Sequence, residues 1–259
     1  MITLTSDFGL KDPYVAEMKG VILTINPEAK IIDITHDIEK FNRRMAAFML
    51  ASAVPYFPKG TVHLAVVDPG VGTERRAIVI QTKKSFFVGP DNGILILAAQ
   101  SQGIERAYQL TNPKLMLPKI SNTFQGRDVF APAAANLEKG VEPSEFGPEI
   151  KDPIKPEFAK VEQISGSVIG EVMHVDGFGN IITNINEIET VKNRFKTVDV
   201  KLPRISLKLK FGKAYAQTEP KEPIILIGSH GFLEIALNQG DAAEKFHAKP
   251  GDKIAVTPS

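Results

Sequence analysis

The sequence predicts an α/β N-terminal domain with a mostly parallel sheet, followed by a C-terminal all-β, barrel-like domain. Three observations carry this prediction. The first half alternates strand-like and helix-like runs, as chains that build helix-covered parallel sheets do. Residues 142–160 hold four prolines and almost no periodicity, which marks a connection. Beyond it, short apolar runs follow one another closely, with Gly, Pro and Asn between them. The domains are therefore placed at residues 1–145 and 161–259, with a linker at 146–160.

The elements read in order as follows. "ITLT" is a strand ending at Ser6-Asp7, and residues 13–25 form a helix with Pro13 in its first turn and Asn26-Pro27 behind it. "KIIDIT" is a second strand, closed by Thr35-His36-Asp37, and residues 43–53 are helical again. "TVHLAVV" is a third strand with Asp68 at its carboxyl end. "AIVIQT" and "SFFVG" follow, then a turn at Pro90-Asp91-Asn92-Gly93 and a helix through "ILILAAQ". The second half supplies "GSVIGEVMHV", "NIITNI", "TVDVKL", "ISLKLKF", "PIILIG", "FLEIAL" and "KIAVTP" as strands.

Composition narrows the function classes. Of 259 residues, 43% are hydrophobic and 24% charged, and the formal net charge is +1. No bulk field draws such a chain to nucleic acid or to an anionic membrane. There is no cysteine, which excludes thiolate catalysis, disulfides and cysteine-ligated metal. The start "MITLTSDFGLKD" lacks a signal-peptide pattern. The longest apolar stretch, "MAAFMLASAVPYF", is broken by Ser52 and Pro55 and is shorter than the roughly 20 residues of a membrane span. A cytoplasmic protein is expected.

Ligands of parallel sheets gather beyond the carboxyl ends of strands. Those ends carry Asp7, Asp33 with His36, Asp68 and Asp91. Each aspartate alone is explained by capping or turn formation; four on one edge point to a site. In "VVDPGVGTERR" (66–76), Asp68 precedes Pro69, Gly70 and Gly72, and Arg75 returns seven residues later. A carboxylate and a guanidinium across a tight loop suit a charge-assisted pair, either structural or catalytic. No phosphate-binding G-x-x-x-x-G-K-[ST] loop is present. "NTFQGRDVFAP" (122–132) puts Gln125, Arg127 and Asp128 at the mouth of a helix, where they either cap it or hold a ligand.

In the second half, "DGFGNIITN" (176–184) places Asp176, Phe178 and Asn180 in a turn between strands, and "GSHGFLE" (228–234) carries Ser229, His230 and Glu234 in a loop. Adjacent Ser229 and His230 make no catalytic dyad, and no G-x-S-x-G elbow exists. His63, inside a strand, is expected to be packed, and His247 to lie at the surface. No histidine pair with ligand spacing appears, so no metal is expected.

Seven stretches in order, "TSDFG" (5–9), "DITH" (33–36), "VVDPGVGTERR" (66–76), "GPDNG" (89–93), "TFQGRD" (123–128), "FGNIITNI" (178–185) and "GSHGFLEIA" (228–236), resemble the S-adenosylmethionine hydroxide adenosyltransferases, relatives of the fluorinase and chlorinase enzymes. The resemblance runs the whole length. It implies an α/β domain and a β-barrel, and homotrimers with each active site between one subunit's first domain and its neighbour's second. It implies a reaction in which water or hydroxide displaces methionine from the 5′ carbon of S-adenosylmethionine and leaves adenosine, with no cofactor beyond the substrate.

Carried onto this chain, the resemblance gives Asp68, Arg75 and Gln125 the catalytic positions and has Asp7 hold the ribose hydroxyls. Asn180, Ser229 and Glu234 face the adenine or ribose side, with Phe178 beside Asn180 in the same turn. Asp176 faces the methionine ammonium, and Phe41 lies near the nucleoside. Asp68 disfavours halide, because a carboxylate repels an anion. The hydroxide-using relatives carry "FHGRD" where this chain has "FQGRD"; glutamine cannot titrate as histidine does. The stretch is read as active-site wall, with Asp128 also placed to cap the helix. A non-catalytic S-adenosylmethionine or adenosine binder is the alternative. A 5′-halogenating relative and a metal-dependent phosphoesterase are more distant ones.

Overall fold

The structure, a computed structural model, describes residues 1–186 and 196–258. The chain divides into two compact units, Met1–Pro156 and Glu157–Ser259.

The first unit is built on a seven-stranded sheet of β1 (Ile2–Ser6), β2 (Ile31–Thr35), β3 (Val62–Val66), β4 (Ala77–Thr82), β5 (Phe86–Pro90), β6 (Ile104–Gln109) and β7 (Glu149–Ile150), in the spatial order β2-β1-β3-β5-β4-β6-β7. The first four strands of that order run parallel. β1 and β3 are buried at every residue, as central strands covered on both faces must be. The remaining pairings, β5 with β4, β4 with β6 and β6 with β7, are antiparallel. The sheet is therefore mixed. The reason is local: only Lys83-Lys84-Ser85 separates β4 from β5, too short for a crossover, and the Thr82 hydroxyl accepts from Ser85 N at 2.9 Å to close the hairpin. β6 is absent from the sequence reading, because "IERAYQ" carries two charges and alternates weakly.

Helix α1 (Tyr14–Ile25) follows Pro13 and buries Val15, Met18 and Ile22, one face at helical spacing. Helix α2 (Arg43–Ala53) is capped by Asn42, whose side chain accepts from Met45 N at 3.0 Å. Short α3 (Ile96–Ser101) and α4 (Ala131–Glu138) complete the unit. The proline-rich stretch packs with this unit. Phe146 enters the core, β7 joins the sheet, and Arg76 donates to Asp152 at 2.8 Å.

The second unit is the all-β domain. Its strands are β8 (Glu162–Ile164), β9 (Ser167–Val175), β10 (Ile181–Asn186), β11 (Thr197–Leu202), β12 (Ile205–Gly212), β13 (Pro223–Ile227), β14 (Phe232–Leu237) and β15 (Lys253–Pro258). They run in the order β10-β14-β13-β12-β11-β15-β9-β8, and an added β9–β10 pairing closes a seven-stranded barrel. Inside lie Val172, Ile181, Leu209, Ile225, Leu233 and Ile254 among others.

Candidate functional site

In the first unit, β1 and β3 are neighbours in register, Ser6 opposite Val66. Parallel pairing thus sets Asp7 and Asp68 just past the carboxyl ends of adjacent strands. Asp68 and Arg75 form a fork: Arg75 Nε donates to both Asp68 oxygens at 3.0 and 2.9 Å, and Nη2 donates to Oδ2 at 2.6 Å. The side chains are only 5% and 11% exposed, so the pair is shielded from water and correspondingly strong. Arg75 Nη2 also donates to Gln125 Oε1, and its guanidinium lies 5.2 Å from the centre of the Phe130 ring. Asp68, Arg75 and Gln125 are therefore one connected group.

The backbone explains how they meet. Gly72 has φ +78°, and a Cβ there would lie 2.4 Å from Asn122 O. Only glycine lets the loop of Asp68 and Arg75 touch the stretch that leads to Gln125. That stretch enters α4 through a π-helical turn, Gly126–Phe130, a distortion that often accompanies functional positions.

Asp128 does not cap the helix. Its Oδ2 accepts from Ser121 N at 2.7 Å, and Arg127 Nε donates to its Oδ1 at 2.7 Å. The carboxylate points back because the π turn supplies the helix's first donors with backbone already in place. Arg127 also reaches Glu17 of α1 at 2.8 Å and lies 5.1 Å from the Phe124 ring centre. The hydrogen bonds it donates to Asp128 and Glu17 raise its pKa still further above the ordinary arginine value. Arg127 and Asp128 thus brace the wall that Gln125 projects from.

Asp7 is buried. Its Oδ2 accepts from Phe41 N at 2.9 Å, and Lys40 Nζ donates to its carbonyl. Phe41 sits at φ 64° with 65% of its surface exposed. Asp91 has a structural place: it accepts from Arg76 and from Ile154 N at 2.8 Å. His63 is fully buried in β3 and shares a 2.8 Å hydrogen bond with Thr3; burial pulls its pKa down to about 4.

The second unit holds a second cluster. Asp176 Oδ1 accepts from Phe178 N and Asn180 N, both at 2.9 Å, and Oδ2 accepts from the Asn180 amide at 2.9 Å. Asn180 is buried, while Phe178 is 82% exposed. Glu234, buried in β14, accepts from the Tyr215 hydroxyl at 2.7 Å. Burial raises the Glu234 carboxyl above the usual carboxylate range; the Tyr215 hydrogen bond lowers it, and the charge of Asp176 adds to the rise. Ser229 and His230 are exposed in the loop before β14.

The sequence reading missed Tyr215 and Lys40. Tyr215 stands in "FGKAYAQT", which has no motif-like spacing, and Lys40 is an ordinary loop lysine. Neither carries a signal that local pattern exposes. Among the described residues, no three His, Asp or Glu side chains converge to hold a metal ion, and no helix is long and apolar enough to cross a membrane.

Comparison with known proteins agrees over the full length. Residues 2–147 match the SAM hydroxide adenosyltransferase N-terminal domain, and residues 170–255 match the C-terminal domain of the same family. The (R)-S-adenosyl-L-methionine hydrolase of Methanocaldococcus jannaschii is 39% identical, covering 99% of this chain and 95% of that protein. The enzyme of the same name from Thermus thermophilus is 40% identical over 97% of each. A fluorinase from an Actinoplanes species is 27% identical over 99% of this chain and 97% of its own length. The crystal structure of an uncharacterized conserved protein from Thermotoga maritima superposes with a TM-score of 0.89 and is 41% identical, covering 99% of this chain and all of that one.

Proposed function

The chain belongs to the SAM hydroxide adenosyltransferase family, and from that footing we propose that it hydrolyses S-adenosylmethionine at the ribose 5′ carbon, giving adenosine and L-methionine. The observation that carries this reading is the half-buried Asp68–Arg75–Gln125 group at the end of β3, in a chain more similar to proteins named hydrolases than to a fluorinase.

The chemistry balances without a cofactor. Water attacks the 5′ carbon, the carbon–sulfur bond breaks, and the sulfonium leaves as the neutral thioether of methionine. One proton is released. The leaving group needs no acid; the difficulty lies in water, whose pKa is about 15.7. Asp68 accepts a hydrogen bond from the attacking water. Arg75 fixes the carboxylate in plane, and Gln125 fixes Arg75. Positioning in line with the leaving sulfur supplies the larger part of the acceleration. A carboxylate at the nucleophile's place disfavours chloride or fluoride.

On the same reading Asp7 takes the ribose hydroxyls, with Phe41 against the nucleoside. Asp176 takes the methionine ammonium, and Asn180, Phe178, Ser229 and Glu234 line the remainder. Acid groups suit a substrate that carries a sulfonium and an ammonium. The relatives' names specify the (R) epimer at sulfur, and we extend that preference to this chain. A cytoplasmic homotrimer with inter-subunit sites is part of the proposal.

A second reading, a binder of S-adenosylmethionine or adenosine without turnover, draws on Gln125, which cannot relay a proton. One experiment separates the two. The purified protein is incubated with S-adenosylmethionine, with and without chloride, and the products are separated by chromatography. Adenosine and methionine in equal amounts, independent of chloride, support hydrolysis. Intact substrate retained on the protein with no product supports the binder.

A further inference from the structure

The stretch "DITH" is not used by the reaction above, yet its side chains are wired toward it. Ser6 Oγ and His36 Nδ1 share a 2.7 Å hydrogen bond. His36 Nε2 lies 3.1 Å from Asp33 Oδ1, off the line of an aligned hydrogen bond, and Lys19 Nζ donates to Asp33 Oδ2 at 2.6 Å. The order Ser–His–Asp imitates a nucleophilic triad. Access excludes that role: Ser6 is 1% exposed, and its Oγ already accepts from Phe8 N at 3.3 Å.

What the line does reach is the turn that carries Asp7. The His36 ring holds Ser6, the residue before Asp7. The His36 carbonyl accepts from Gly9 N at 2.8 Å, two residues after it, where Gly9 sits at φ +69°. One residue therefore grips both ends of the turn. The ring cannot drift, because it is buried and Asp33 is anchored in turn by Lys19. The β1–β2 register slips between Leu4 and Thr5, and this irregularity brings His36 level with Ser6.

We propose that His36, acting through Ser6, is a positioning residue that sets the Asp7 carboxylate for vicinal ribose hydroxyls, and so governs discrimination between ribosyl and deoxyribosyl ligands. This rests on the reading of Asp7 as the ribose-binding group. The test is calorimetric titration of the full chain with adenosine and with its 2′,3′-dideoxy analogue. The proteins compared are the native one, Asp7→Asn, Ser6→Ala, His36→Leu and His36→Gln. The native preference for adenosine is expected to be on the order of a hundredfold, the worth of two hydrogen bonds to a carboxylate. Ser6→Ala changes little volume and protects the test against a His36→Leu protein that does not fold.

Ser6→Ala and His36→Leu should each reduce the preference about tenfold by weakening adenosine alone. His36→Gln, whose amide can still reach Ser6, should retain most of it. If Asp7→Asn abolishes the preference while Ser6→Ala and His36→Leu keep it, the role of His36 is overturned and that of Asp7 stands. If both nucleosides weaken equally in the Ser6 and His36 variants, their role is merely structural and the proposal is overturned. If Asp7→Asn keeps the native preference, the ribose reading of Asp7 fails and this proposal with it.

Discussion

Arg75→Lys probes the site without removing its charge. Arginine makes three donor contacts to Asp68 from two nitrogens and a fourth contact to Gln125. A lysine ammonium is a single point and cannot span both partners in a fixed fork. At least one hydrogen bond to Asp68 and the one to Gln125 are lost. At roughly 1.5 kcal/mol for each bond involving a charged group, the transition state loses about 3 kcal/mol, or on the order of a hundredfold in kcat/KM. Because the charge is kept, Asp68 is not left as an uncompensated buried anion, so the thermal midpoint should move by only a few degrees. Adenosine release is followed by chromatography over a range of S-adenosylmethionine concentrations. The loss should appear in kcat. A kcat/KM within threefold of native would refute the fork as a positioning device, and a loss confined to KM would move Arg75 to ground-state binding.

Three further outcomes are expected. Gln125→His places an imidazole beside the Arg75 guanidinium; that neighbour holds its pKa below about 6.5, so the rate should fall as pH drops through the lowered value, and a profile identical to native would deny Gln125 any part in the chemistry. Gly72→Ala puts a Cβ 2.4 Å from Asn122 O at φ +78°, and urea denaturation should show a loss of about 2–3 kcal/mol together with reduced turnover; an unchanged midpoint would show that the loops part freely. His63, neutral when folded with a pKa of about 4, binds its proton first in the unfolded chain; stability is complete above about pH 6.5 and declines by about 3 kcal/mol as pH falls toward 4. His63→Leu should flatten that slope in acid unfolding, and an unaltered slope would place the acid sensitivity elsewhere.

Much of this molecule is legible in order along the chain, because its strongest signals are local. "ITLT" and "TVHLAVV" read as buried strands since only small threonines and His63 interrupt their apolar residues, and the Thr3 hydroxyl meets the His63 ring at 2.8 Å. The Asp68–Arg75 pair is legible from a seven-residue spacing with two glycines between. What escapes is long-range. β6 carries Glu105 and Arg106 and becomes a strand because β4 and β7 flank it. Asp128 looks like a cap until the π turn redirects its carboxylate to Ser121. Tyr215 meets Glu234 across 19 residues, and Ser6 meets His36 across 30; no spacing rule announces either.

The closing pairs of the barrel have a consequence for synthesis. Among the described strands β15 comes last in sequence, yet it lies between β11 and β9, and β9 is among the first strands of its unit. Until Lys253–Pro258 has emerged from the ribosome, β9 and β11 each present a row of unpaired amides and carbonyls, the template on which strands of different molecules join. The nascent second unit is thus exposed to misassembly until β15 arrives. Loss of the β15 pairing from the folded unit would reopen both edges at once.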